Sequence, residues 1–320
     1  MEVTDTRTVV DFQKHTFCGH IRADVIKMLL KNVQLGNADY ACYWSLELLC
    51  SGLVHTLWMT MFLGAATHVN RGQPNVFLYL AESYEKYAPI ESKFSSMEMT
   101  NIRNSVDVRR MVCEAAAVVS LCRKNKLPTL PTIKPAHDFD SVTIQETIKA
   151  PSAIFGKLVL RREDPMSIAI PINEFCYCLR SDVRDVTKAL YWMAWVFAYC
   201  REYKKQSKQT LQFAFRTDDM IPTEHARHVV WIFWDAIKQQ ALPLAKKYID
   251  VLFNMYCLRW SPSDAKSRQA LLVTAILLVC EGTTLDTSPV SNNSLQVATI
   301  LGGIPGWIDS IVKTRQSFSS

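Results

Sequence analysis

The sequence predicts an all-α protein built from two diverged copies of a helical-bundle unit, joined by a Pro-rich linker and a small β-hairpin. Three observations carry this reading. Apolar residues recur at helical spacing over most of the chain. A signature returns: Ala41-Cys42-Tyr43-Trp44 is matched by Ala189-Leu190-Tyr191-Trp192, 148 positions later. Between them, Leu127–Pro135 carries Pro128, Pro131 and Pro135, and each proline removes a donor and restrains its predecessor, so this stretch cannot be helical.

The repeat extends beyond the signature. The same displacement carries Pro74 onto Pro222, and with one gap Leu30-Lys31 falls on Leu179-Arg180. Arg110 and Cys122 match Arg268 and Cys280, twelve residues apart in both copies. The predicted organisation is copy 1 over 13–126, linker and hairpin over 127–171, copy 2 over 172–282, and a C-terminal loop with a short helix over 283–320.

Taken in order, residues 1–12 are a polar lead-in. Ile21, Val25, Met28, Leu29 and Val33 give a helix over 17–34 its apolar face, and Gly36-Asn37 stops it. Asn37 or Asp39 caps the next helix, with Trp44 and Leu48 on one side. Ser51-Gly52 breaks it. The helix over 53–68 is apolar nearly all round, as core helices are. After the Asn70–Pro74 turn, a helix runs to Tyr87 and stops at Pro89. Residues 103–124 form another, basic at its front and Ala/Val-rich behind. Past the prolines, Lys157–Leu160 and Ser167–Ile170 flank Arg161–Pro165 as a predicted hairpin. Helices follow at 172–180, 185–203, 205–216, 223–240 and 243–258. Ser261-Pro262-Ser263-Asp264 is a cap signature for 264–281. Thr283–Ser294 is a polar loop, a last short helix holds Trp307 and Ile311, and Gln316–Ser320 fray. The predicted core contains Trp44, Leu48, Leu57, Val118, Tyr191, Trp192, Trp195, Ile276 and Leu277.

Length and composition bound the class. With 320 residues there is room for about two domains. Hydrophobic residues make up 49% and charged residues 21%, which excludes a disordered chain. Net charge is +6 with pI near 8.7, a mild pull toward anionic partners. The ten cysteines sit in apolar helical contexts, unlike a disulfide framework. They point to buried thiols in a reducing compartment, cytoplasm or nucleus. The first residues have no basic and apolar leader pattern, so no secretory signal is expected. Leu48–Val69 runs 22 residues without Asp, Glu, Lys or Arg, long enough to span a bilayer. It contains Ser51-Gly52, His55, Gly64 and His68, and its duplicate carries Arg201, Lys204, Lys205 and Lys208. Two buried helices are the better expectation, and a membrane partner is not expected.

Few motifs carry chemistry. His15-x-x-Cys18-x-His20 offers imidazole and thiolate, both zinc ligands, but lacks the second ligand pair of a structural site. Cys176-x-Cys178 lacks partners too. Glu224-His225-x-x-His228 places two imidazoles one turn apart, without a third ligand, and reads as a helix start bearing two surface histidines. There is no phosphate-binding Gly-rich loop, dinucleotide fingerprint or nucleophile elbow, and Asp218-Asp219 reads as a solvated loop pair. No catalytic residue and no cofactor are assigned. The basic stretches are Arg103 with Arg109 and Arg110, Arg123-Lys124-Asn125-Lys126, Arg201 with Lys204, Lys205 and Lys208, and Lys266 with Arg268. A helical array can align such residues along a phosphate backbone, or simply solvate a helix face. Trp231, Trp234 and Trp260, with Trp192 and Trp195, are core residues or interface anchors.

Gly36, Asn37, Ala41, Tyr43, Trp44, Leu48 and Gly52, with Pro74 after the third helix, resemble the helical collar region of clamp-loader-type AAA+ proteins. The resemblance covers about 50 residues in each copy. It implies oligomeric assembly rather than catalysis, and the chain has no ATPase core. In general character, helical and Cys-containing without a catalytic motif, the sequence also resembles uncharacterised large-DNA-virus proteins. The reading is therefore a non-enzymatic structural or interaction protein. It would act as a helical scaffold with protein partners in a homo- or hetero-oligomer, a virion or a replication assembly. The alternative is a nucleic-acid-binding replication accessory factor using Arg103, Arg109, Arg110, Arg201, Lys204, Lys205 and Lys208. A third expectation is an enzyme with an unfamiliar site.

Overall fold

The computed structural model describes residues 2–93, 99–281, 285, 286, 288, 290 and 294–317. The fold is all-α. Among the described residues no strand occurs, and the one β-bridge, His15 to Ile21, is isolated. The chain forms two compact units, residues 1–126 with 286–320, and residues 127–285.

Unit 1 contains α1 (Arg22–Leu35), α2 (Ala38–Cys50), α3 (Val54–His68), α4 (Asn75–Lys93), α5 (Met99–Asn104) and α6 (Val106–Leu121), then α14 (Leu295–Leu301) and α15 (Ile304–Ser317). Gly36 ends α1 in the left-handed region at φ 76°, a conformation glycine adopts without penalty. At the centre α2 packs on α6. Small side chains on both let the backbones approach, so the Cys42 thiol donates to the Cys113 carbonyl at 3.2 Å. Ser105 caps α6 by accepting from the Val108 amide. Leu48–Val69 is two buried helices, α2 and α3, parted at Ser51–Leu53. The stretch Leu295–Arg315 is apolar and long enough to cross a membrane. However, Gly302 and Gly303 divide it into α14 and α15, and Val297, Ile300, Ile308 and Ile311 are buried in unit 1.

Unit 2 contains α7 (Pro135–Asp138), α8 (Ser141–Thr147), α9 (Ala169–Cys178), α10 (Val186–Ser207), α11 (Val230–Gln240), α12 (Pro243–Cys257) and α13 (Gln269–Glu281). Asp140 caps α8 and Asp185 caps α10. Trp231 and Trp234 of α11 pack edge to face on Tyr256 of α12, and Trp231 also on Trp260 just beyond it, with Trp231 and Trp234 fully buried.

Several expectations are corrected. The hairpin does not form. Residues 156–158 and 166–168 are 3-10 turns, and Ile168 leads directly into α9. Burial alternates along Leu158, Val159 and Leu160, so the period-two pattern was real, but a tight turn produced it instead of a ladder. The helix expected over 205–216 is absent. Lys208 ends α10 at φ 59°, and residues 209–218 are irregular. α4 continues through Pro89. Pro89 and Glu85 are both exposed, so the carbonyl deprived of a donor faces water. Ser261 and Asp264 form a reciprocal cap, but on a 3-10 turn at Pro262–Asp264, and α13 starts later, at Gln269. Seven of the nine predicted core residues are buried, while Trp44 and Tyr191 are half-buried. The polar loop expected over 283–294 lies largely outside the described residues.

Candidate interaction surface

Arg103 is fully buried, donating to the carbonyls of Asp5 and Arg7 at 2.7 Å each. Arg109 is 9% exposed, and its guanidinium bonds the Arg103 carbonyl and Asn104. Both secure the N-terminal segment of unit 1, and neither is presented to a phosphate backbone. This corrects their assignment as nucleic-acid contacts. Arg110 is exposed, but it lines a cavity of about 290 Å³ with Lys86 and with Glu82, Asp107 and Glu114, so carboxylates outnumber cations against an incoming anion. Arg201, Lys204, Lys205 and Lys208 are exposed along the last turns of α10, where cations also favour the helix dipole. Arg268 is buried against the carbonyls of Tyr256 and Leu258. Lys124 caps α6 at Val119 and Ser120.

The metal candidate, His15 with Cys18 and His20, is not brought together as a ligand set among the described residues. The Cys18 thiol is buried and donates to the Ile311 carbonyl at 3.2 Å. Burial, with Glu47 beside it, pushes its pKa far above the usual thiol value. The His20 ring stands edge-on to Trp44 at 5.6 Å, and His15 is exposed. Among the described residues no three His, Cys, Asp or Glu side chains are placed to share a metal ion.

A surface the sequence did not single out lies in unit 2, on residues 151–170, which run from the loop after α8 into the first turn of α9. Here Ile154, Leu158, Met166 and Ile170 are turned to solvent, with Leu158 66% and Met166 83% exposed. The backbone beneath them is tied down by buried polar side chains. Asn173 on α9 accepts from the Gly156 amide and donates to the Ser152 carbonyl. A Cβ at Gly156 would come within 3.1 Å of the Asn173 backbone, so a larger residue fits only if Asn173 gives by a few tenths of an ångström. Glu174, 1% exposed, accepts from the Lys149 and Ala150 amides. Asp164 accepts from the Arg161 and Ala214 amides and from Arg216. Arg216 also donates to the Val159 carbonyl and to Asp235.

The electrostatics of this clamp are asymmetric. Burial pushes the Asp164 carboxyl up, but the Arg216 guanidinium and the two amides outweigh it and hold its pKa below the usual range. For Asp235 burial prevails over Arg216, and its pKa is raised. Beside the clamp lies a groove of about 480 Å³ lined by Leu158, Leu160, Ile249, Arg161, Lys238 and Asp235, among others. Lys157, Arg161, Arg162 and Glu163 are exposed on the same stretch of chain. Exposed aliphatic side chains with charged residues beside them in the chain are the composition of a protein-binding surface.

A usable hint is present in the residues themselves. Asp164-Pro165 between two apolar triplets is turn chemistry, and the apolar residues sit out of helical phase. No protein-family model matches the chain, and no curated protein and no solved structure is significantly similar to it.

Proposed function

We propose that this chain is a non-enzymatic interaction protein that docks a protein partner on residues 151–170 and the adjoining groove. The observation that carries the reading is the contrast between the two sides of this segment. Below, Asn173, Glu174, Asp164 and Arg216 fix an irregular backbone. Above, four large aliphatic side chains face water. A segment that merely connected α8 to α9 needs neither feature. The partner this fits presents an aliphatic side chain to the groove and acidic groups to Lys157, Arg161 and Arg162. Burying a Leu or Met side chain contributes about 1.5–3 kcal/mol, so this patch suffices to anchor an interface. Assembly into an oligomer, a virion or a replication complex is the setting proposed for it, in a reducing compartment that suits ten unpaired thiols.

The second reading, a nucleic-acid-binding accessory factor with collar-like helices, is favoured by the exposed cations Arg201, Lys204, Lys205 and Lys208 at the end of α10. We also read the two units as diverged copies. Tyr43–Trp44 and Tyr191–Trp192 each meet edge-on at 5.1 Å, although α3 has no helical counterpart over 208–218.

One experiment separates the readings. The tagged full-length chain is sedimented from native extract as the unaltered protein, as Leu158→Asp, and as Lys204→Gln/Lys205→Gln/Lys208→Gln. The interaction reading expects a complex that Leu158→Asp reduces to the free chain and that survives nuclease and the triple lysine change. A complex lost to nuclease, or indifferent to Leu158→Asp, would overturn it.

A further inference from the structure

Glu224-His225-x-x-His228 is not a helix start bearing two surface histidines. Thr223–His225 is a 3-10 turn, and α11 begins only at Val230. Both imidazoles are packed edge-on against the buried Trp260 indole, at 5.6 Å for His225 and 5.0 Å for His228. His228 Nδ1 accepts from the Val230 amide at 3.2 Å, which places the neutral ring's proton on Nε2. Burial, with His225 nearby, pulls the His228 pKa down to about 4, so the ring is neutral at ordinary pH. Among the described residues nothing bonds its Nε2.

These residues line a cavity of about 190 Å³ together with Arg227, Leu211 and Phe213. Arg227 donates from Nη1 to the Phe213 carbonyl at 3.2 Å and to Glu163 at 3.5 Å. Its Nε–Nη2 edge has no partner among the described residues, and that edge is one of the two a guanidinium offers to a carboxylate. The charged lining is thus one cation and one carboxylate, Arg227 and Glu224, with the neutral His228 imidazole, next to Arg227 in the chain, as a further donor. A lone carboxylate would meet Glu224, and a lone ammonium would meet Arg227. A molecule carrying both ends satisfies both, and the apolar wall leaves room for a short aliphatic portion.

We infer that this cavity binds a small aliphatic zwitterion of the amino-acid class. The carboxylate sits on the Nε–Nη2 edge of Arg227 and the Nε2–H of His228. The ammonium faces Glu224, and the aliphatic portion lies against Leu211 and Phe213. The inference does not depend on the interaction surface.

The test titrates the full-length protein with leucine, 4-methylpentanoate and isoamylamine, read by calorimetry and by the imidazole ¹⁵N–¹H signals of His228. Leucine should saturate and shift the His228 Nε2 signal, with each half-molecule binding at least about tenfold more weakly. Arg227→Gln and Glu224→Gln, both at exposed positions, should each weaken leucine about tenfold, Glu224→Gln while leaving the thermal midpoint unchanged. Three results would overturn the inference: no saturable leucine binding by about 10 mM, 4-methylpentanoate binding as tightly as leucine, or undiminished binding by Arg227→Gln. Zinc, rather than leucine, shifting both histidines would also overturn it.

Discussion

Arg216 and Asp164 form a buried two-point ion pair, Nη1 to Oδ1 and Nη2 to Oδ2 both at 2.8 Å, with side chains only 2% and 1% exposed. The pair joins the stretch 156–166 to the irregular stretch 209–217, neither of which has a ladder or an α-helix of its own to hold it. Breaking one partner leaves the other charged in the interior. Asp164→Asn should therefore destabilise unit 2 by about 3–5 kcal/mol, measured by urea unfolding. Removing both charges, as Asp164→Leu with Arg216→Met, should be milder than Asp164→Asn alone.

The exposed residues of the same segment should behave oppositely. Leu158→Ala and Met166→Ala should leave stability within about 0.5 kcal/mol, because neither side chain is packed. Both should weaken partner binding, each by about tenfold, the loss of one buried aliphatic side chain. Equilibrium unfolding and a binding titration on the same samples check the two halves of this prediction.

Acid should weaken unit 2 through His228. Its folded pKa, about 4, lies below the ordinary 6.5, so between these values the unfolded chain takes up the proton and the folded chain does not. The stabilisation is complete above pH 6.5 and is lost as pH falls toward 4. Protonating Nδ1 would also set it against the Val230 N–H it now accepts from. His228→Asn, whose side-chain oxygen can accept the same amide, should flatten this part of the stability–pH curve.

Much of this architecture was legible and some was not, for identifiable reasons. Helix α1 ended where Gly36 demanded, α2 and α3 parted at Ser51-Gly52, and Leu127–Lys134 stayed out of helix because its prolines required it. What failed was the irregular half of unit 2. Leu158-Val159-Leu160 alternates like a strand, and only a long-range partner decides between strand and turn. That partner is Arg216, 52 positions from Asp164. Arg103 and Arg109 failed similarly. An arginine near a helix start looks solvated until one knows that the carbonyls of Asp5 and Arg7 lie over it.

The thiols offer a separate check. Burial raises the pKa of Cys50, Cys176, Cys257 and Cys280 to about 12, and all of these are buried. At pH 8 a thiol-specific reagent should leave them unmodified in the folded protein, with only the half-buried Cys200 open to slow reaction. All ten should react once the chain is unfolded. Rapid labelling of several cysteines in the native state would contradict the packing described.

Arg103→Met should release the N-terminal segment, since it removes the donors to Asp5 and Arg7. Faster proteolysis before Phe12 is the expected outcome, with no change in affinity for DNA at any salt concentration.

The central claim is that Leu158 touches a protein. The most direct measurement places a photo-crosslinking amino acid at position 158 in the native setting, with position 106, exposed on unit 1, as the control. The account predicts a discrete protein adduct at 158 that Arg161→Glu with Arg162→Glu abolishes and that is missing at 106. Adducts only to nucleic acid, or the same weak pattern at both positions, would contradict it.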